Sequence, residues 1–187
     1  MHCMMCETFS LSHICKNCQI NYLSPQIRKQ KIYHDIELIS FYKYEEIKTL
    51  LHTKHTDVGE YIYKLLAENS MALFAQEFQS SEQYDAIGID DHVRNGYSHT
   101  AILTKALHSQ HISPLYNMLR AKSHLSYSGK SKYFRQKNPR NFNLRYLPKK
   151  QIILVDDIVT TGSTMQEAIR KISHENIAFC LALVDLR

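Results

Sequence analysis

The stretch from Gln151 to Val184 restricts the fold more than any other part of this chain. Gln151-Ile152-Ile153-Leu154-Val155 is an apolar run of strand length, and a polar segment follows it. Met165, Ala168, Ile169 and Ile172 then recur at three- and four-residue intervals, the stripe of a helix resting on a core. Ile177 to Val184 is a second apolar run. Strand, loop, helix and strand in that order form a βαβ unit, whose crossover makes the strands parallel. Their continuous rather than alternating hydrophobicity fits strands covered on both faces. The expected architecture is therefore α/β, a mostly parallel sheet flanked by helices.

Upstream, Ile36 to Phe41 reads as a strand, and Ile47, Leu50 and Leu51 as a helix stripe. Val58, Ile62, Leu65 and Leu66 give a second helix, opened by Thr56-Asp57 and weakened by Gly59, with helical pattern running on towards Phe78. Tyr84 to Asp90 reads as a strand, Ser98 to His108 as a helix, and Pro114 to Leu119 as another strand. From Ala121 to Leu147 no period is sustained, which predicts a long excursion. The expected organisation is a cysteine-rich module over 1–20, a connector over 21–40 and one domain over 41–187, with a basic excursion at 120–150. The longest apolar stretch, near Ala178 to Val184, is far short of the roughly 20 residues of a membrane span. The N-terminus has no basic lead and no apolar block, so a cytoplasmic location is expected.

The segment Val155-Asp156-Asp157-Ile158-Val159-Thr160-Thr161-Gly162-Ser163-Thr164 follows the clearest strand. Ligands of open α/β sheets sit at the carboxyl ends of strands. Two adjacent acids there need hydroxyls, amides or a cation as partners, and a ribose offers neighbouring hydroxyls. Thr160, Thr161, Gly162, Ser163 and Thr164 offer side-chain hydroxyls and backbone N–H groups at the start of a helix, a cradle for a phosphate. A plain helix cap, Thr164 with Glu167, accounts for only part of this pattern. The chain has neither the GxGxxG of dinucleotide sites nor the P-loop pattern.

Cys3-x2-Cys6 and Cys15-x2-Cys18 are two knuckles separated by eight residues, the spacing of a structural Zn2+ site. Zinc would contribute on the order of 10 kcal/mol of folding energy to a segment with few large apolar side chains. Cys180 lies in the last strand run and reads as a buried small hydrophobe.

Charge is segregated. Twelve acids lie between Asp35 and Asp91, whereas His92 to Val155 holds no acid and twelve Lys and Arg, ten of them between Arg120 and Lys150. A one-signed field of that kind attracts phosphate-rich partners. Arg94, Arg120, Lys122, Tyr127, Lys130, Lys132, Tyr133, Arg135, Lys137 and Arg140 mix cations with rings, the combination that holds single-stranded nucleic acid. The same stretch could instead close over a ligand.

VDDIVTTGST resembles the phosphoribosyl-diphosphate motif of class I phosphoribosyltransferases. Together with the cysteine pairs, YKYEEIKTLLHTK and GYSHTAILTKAL, it follows in order the pattern of the ComF family, ComFC-type proteins of bacterial natural competence. That resemblance implies a phosphoribosyltransferase-like domain behind a zinc-binding module. It implies phosphoribosyl diphosphate as ligand, with Asp156 and Asp157 on the ribose hydroxyls, Thr160 to Thr164 on the 5-phosphate and Mg2+ on the diphosphate. It further implies a role in uptake of transforming DNA, with single-stranded DNA and uptake machinery at the inner membrane face as partners. The chain departs from the family at Asn95 to His99, and Ile89-Asp90-Asp91-His92 stands where the family has a proline-containing diphosphate loop. Two alternatives follow: an active Mg2+-dependent transferase acting on a nitrogen acceptor, and a non-enzymatic scaffold with a vestigial ligand loop.

Overall fold

The computed structural model describes residues 1–89, 93, 96–122, 133 and 137–187. The strands are β1 (Arg28–Tyr33), β2 (Ile36–Tyr42), β3 (Tyr84–Ile89), β4 (Ile112–Ala121), β5 (Phe142–Leu144), β6 (Gln151–Val159) and β7 (Ile177–Asp185). They form one sheet in the order β1-β2-β7-β6-β3-β4-β5. Pairing is parallel from β2 through β7, β6 and β3 to β4, and antiparallel where β1 meets β2 and β5 meets β4. The sheet is thus mixed and largely parallel, an α/β fold.

The named helices of the described residues are α1 (Lys16–Tyr22), α2 (Tyr44–His52), α3 (Gly59–Ala67), α4 (Leu73–Glu77), α5 (His99–Ala106) and α6 (Ser163–Ile172), with short tighter or wider turns between some of them. Two buried clusters occupy the two faces of the sheet. Ile153 and Val155 of β6 and Leu181 and Leu183 of β7 lie with Ile47, Leu50 and Leu51 of α2, Ile62, Tyr63 and Leu66 of α3, and Leu103 of α5. Ile152 and Leu154 of β6 and Cys180 and Ala182 of β7 lie instead with Met165, Ala168, Ile169 and Ile172 of α6. The two-residue alternation along β6 and β7 is what makes one strand serve both cores.

Several expectations need revision. The stretch 21–40 is more than a connector, because β1 lies in it. Its Arg28, Lys29, Gln30 and Lys31 are exposed and carry no alternating pattern, and only Ile32 at its end enters the core, so the pairing with β2 left little hydrophobic trace. Lysines on an edge strand also discourage pairing with another molecule. Thr56-Asp57 does not open α3, whose N-cap is Val58. Thr56 instead hydrogen-bonds Thr53 through its hydroxyl at 2.8 Å. The helix from Gly59 runs on to Glu77 through a π-helical turn at Glu68–Ala72. The region 121–147 contains β5, which closes the far edge of the sheet. Residues 1–20 share the main core: Cys3, Ile14 and Cys18 are buried in the same cluster as Phe41 and Tyr63.

Candidate functional site

β6 does not stop at Val155. Pairing with β7 continues through Asp156 opposite Ala182, Ile158 opposite Val184 and Val159 opposite Asp185. The expected loop therefore shrinks to Thr160-Thr161-Gly162, and both acids are strand residues at the carboxyl end of the sheet. Gly162 takes φ 74° as N-cap of α6, and a Cβ there would come within 2.9 Å of Ile32 Cδ1. The left-handed backbone and the close approach both call for glycine. Thr161 Oγ1 and Ser163 Oγ are 2.8 Å apart, and the Ser163 N–H points to Thr161 Oγ1 at 3.4 Å. Thr160 and Thr164 are half-buried beside them. The Thr164–Glu167 capping box does not form. Glu167 instead accepts the backbone N–H groups of Arg140 at 3.0 Å and Asn141 at 2.7 Å, fastening the basic stretch to α6 at that point.

The acid pair is asymmetric. Asp157 is buried, and its Oδ2 accepts from Lys54 Nζ and from the Tyr63 hydroxyl, each at 2.9 Å. His99 Nε2 lies 3.7 Å from the same oxygen. Burial opposes its ionisation, but Lys54, His99 and Tyr63 together hold its carboxyl well below the usual carboxylate range. Asp156 is half-buried, and its Oδ1 accepts the Asp157 N–H at 2.8 Å. Burial and the neighbouring Asp157 charge push it well above that range. Burial and the same charge raise the Tyr63 phenol.

Lys54, Tyr63 and His99 join Asp157 from three separate elements, the Thr53–His55 turn, α3 and α5. Tyr97 adds a further tie by donating to the Lys54 carbonyl at 3.0 Å. Sequence reading does not assign Lys54 or Tyr63 to the site. Lys54 sits just past the helix stripe, and Tyr63 is adjacent to the stripe residue Ile62, so each resembles ordinary helix-surface or core material.

At the N-terminus the four sulfurs of Cys3, Cys6, Cys15 and Cys18 lie within 4.8 Å of one another. Cys6 and Cys15 are 3.7 Å apart, close to the roughly 3.8 Å edge of a tetrahedron with ~2.3 Å Zn–S bonds. The five cysteines are unbridged. Backbone N–H groups of Cys15 and Met5 point at Cys3 Sγ at 3.3 and 3.5 Å. Burial works against ionisation of Cys3, yet these donors hold its thiol at about 6. Burial and the neighbouring sulfurs push the Cys18 thiol far up. Four thiolates cannot share so small a volume without a cation, and a divalent metal supplies one. The cluster is able to bind a metal such as Zn2+.

Of the nucleic-acid candidates, Arg94, Tyr127, Lys130, Lys132 and Arg135 lie outside the described residues, as do Asp90, Asp91 and His92. Arg120, Lys122, Tyr133 and Lys137 are exposed and Arg140 is half-buried. Arg120 donates to Asn117 Oδ1, and Lys137 Nζ stands 4.8 Å from the centre of the Tyr133 ring. The Lys122 N–H donates to the carbonyl of Arg140 at 3.1 Å, which draws these two points of the basic stretch together. Cys180 is fully buried in the strand as expected. No helix among the described residues is long and apolar enough to cross a membrane. No family model and no curated protein matches this chain.

Proposed function

We propose that the carboxyl end of β6 binds phosphoribosyl diphosphate, and that the chain is a ComF-type competence protein with a class I phosphoribosyltransferase-like fold. It would act in the cytoplasm in uptake of transforming DNA. The observation that carries this reading is the juxtaposition at one strand end. An acid pair at the sheet's carboxyl edge is followed at once by a hydroxyl-bearing turn, and Gly162 opens an amphipathic helix there. A pentose phosphate matches it, hydroxyls to a carboxylate and phosphate to the turn and the α6 N-terminus. Mg2+ would arrive with the diphosphate and neutralise its charge. Zinc would be structural in the four-cysteine cluster.

Titration calorimetry of zinc-loaded protein with phosphoribosyl diphosphate, with and without Mg2+, tests the ligand. Absence of binding in both conditions would sink this reading. Single-stranded DNA is the second ligand, supported by the exposed Arg120, Lys122, Tyr133 and Lys137 in a stretch without acids. Its affinity should fall steeply with salt, because neutralised phosphates release counterions. A salt-insensitive affinity would count against that ligand.

The raised Asp156 carboxyl favours a second reading, an active phosphoribosyltransferase. A carboxylate whose proton affinity is raised by burial can take the proton from a nitrogen nucleophile as diphosphate leaves. Acceptor-dependent release of diphosphate, lost in Asp156→Asn, would support it; clear binding without release over a broad acceptor panel would refute it.

A further inference from the structure

Neighbouring side chains of a strand leave on opposite faces. Ile152 and Leu154 of β6 belong to the α6 side of the sheet, Ile153 and Val155 to the side of α2, α3 and α5. Asp157 lies on the second side, where it meets Tyr63 of α3 and His99 of α5. The alternation up to Val155 carries Asp156 to the first, before the series reverses at Ile158, which packs on the α2 side, and Val159, which lies with the α6 cluster. The hydroxyl-bearing turn leads into α6 and so belongs to the Asp156 side.

We propose that the two acids divide their work: Asp156 is the carboxylate that meets the ligand, and Asp157 is a positioning residue committed to Lys54, Tyr63 and His99. This rests on the phosphoribosyl-diphosphate reading and narrows it, since the family likeness assigns the ribose to both acids.

The acceptor capacity of Asp157 is largely taken. A carboxylate offers about four lone-pair positions. Lys54 and Tyr63 occupy Oδ2, His99 approaches it, and the Ile158 N–H occupies Oδ1 at 2.9 Å. The side chain retains 7% exposure, while the Lys54 and His99 side chains each retain 25%. Turning that carboxylate towards a sugar would take its charged acceptor away from the half-buried Lys54 ammonium and leave the buried Tyr63 hydroxyl only the Leu51 carbonyl at 3.4 Å among the acceptors of the described residues. Among the described residues, Asp156 accepts only its neighbour's N–H, on Oδ1, and it is half-buried. The tie matters for the site because the residues it joins are far apart in the chain, Lys54 by 103 positions and Tyr63 by 94. Asp157 therefore fixes the Thr53–His55 turn and α5 against the strand whose next residues form the ligand turn.

Calorimetry with phosphoribosyl diphosphate and Mg2+ on the full zinc-loaded chain separates the roles, with ligand-free melting curves run alongside. Asp156→Asn should lower affinity at least about tenfold, the effect of exchanging an acceptor oxygen that faces the ligand for an amide donor, without lowering the melting temperature. Asp157→Asn and Lys54→Met should each weaken binding by a smaller, similar factor, and the double variant should be no weaker than either single to within about twofold. Lys54→Arg should restore the wild-type value. Lys54→Met combined with Asp156→Asn should multiply the two losses.

Equal losses in Asp156→Asn and Asp157→Asn, with Lys54→Met unaffected, would overturn the division and leave the ligand reading intact. Unchanged affinity in both Asp157→Asn and Lys54→Met would overturn it too, by making the tie merely structural. Absence of binding in the wild-type protein would instead remove the ligand reading. The tie would then be judged by melting alone: non-additive losses in Lys54→Met and Asp157→Asn sustain it, and additive ones reject it.

Discussion

At Gly59 the chain places the poorest ordinary helix former at the first position of α3. A Cβ there would collide with the Thr53 carbonyl and the Tyr97 hydroxyl. Those two groups flank the Lys54 turn, so the missing side chain is what allows the turn to close on Asp157. Gly59→Ala should cost about 1–3 kcal/mol, the range for overpacking, and urea denaturation would measure it. The acid pair carries a pH dependence of known sign. Asp157 has a folded pKa below its unfolded value, so its contribution is fully present above the ordinary aspartate pKa near ~3.9 and is lost as pH falls through the lower folded value. Asp156 acts oppositely. Its folded pKa is raised, so folding is penalised as pH climbs from the ordinary value to the raised one. Without ligand, Asp156→Asn should therefore be at least as stable as wild type at neutral pH, whereas Asp157→Asn should lose about 1.5–3 kcal/mol there. Unfolding curves at acid and neutral pH would show the difference narrowing as the solution is acidified.

The elements differ in how plainly the sequence announces them. β6, α6 and β7 are legible because each is covered on one or both faces and must be apolar there, as Ile152 to Val155 and Met165 to Ile172 are. β1 is not, since its exposed Arg28 to Lys31 join the sheet through backbone pairing and bring no apolar side chain to the core. The acid pair, the turn and the four cysteines could be read as chemistry because they are short, local patterns. Lys54 and Tyr63 could not, because their partner lies about a hundred positions away and only the tertiary fold joins them. Glu167 has the spacing of a capping residue and serves the neck of the basic stretch instead. Glu167→Ala should leave the Arg140 and Asn141 amides without their acceptor. Their hydrogen exchange should quicken while that of the β6 amides stays unchanged, and exchange measured residue by residue would reveal it.

For the molecule as a whole, the cysteine cluster is part of the main core. Cys3, Ile14, Cys18 and Leu23 share their burial with Phe41 and the helices on that face, and the Tyr42 hydroxyl donates to the Leu23 carbonyl at 3.1 Å. Metal removal should therefore be felt far from the sulfurs. A strong chelator added to zinc-loaded protein at neutral pH should lower the melting temperature of the entire protein rather than unfold an N-terminal tail by itself. Differential scanning calorimetry would distinguish one shifted transition from two separate ones, and released zinc would be counted by a colorimetric indicator.

The strand order has a consequence for how the chain is made. β7 lies between β2 and β6, yet it is synthesised after the six other strands of this sheet. Until Ile177 to Asp185 leave the ribosome, β1-β2 and β6-β3-β4-β5 are two separate sheet fragments, each presenting an unpaired edge to the other. The nascent protein cannot fold progressively from its beginning. It must hold both halves apart and collapse them around β7, a late and long-range step that favours slow folding and help from chaperones.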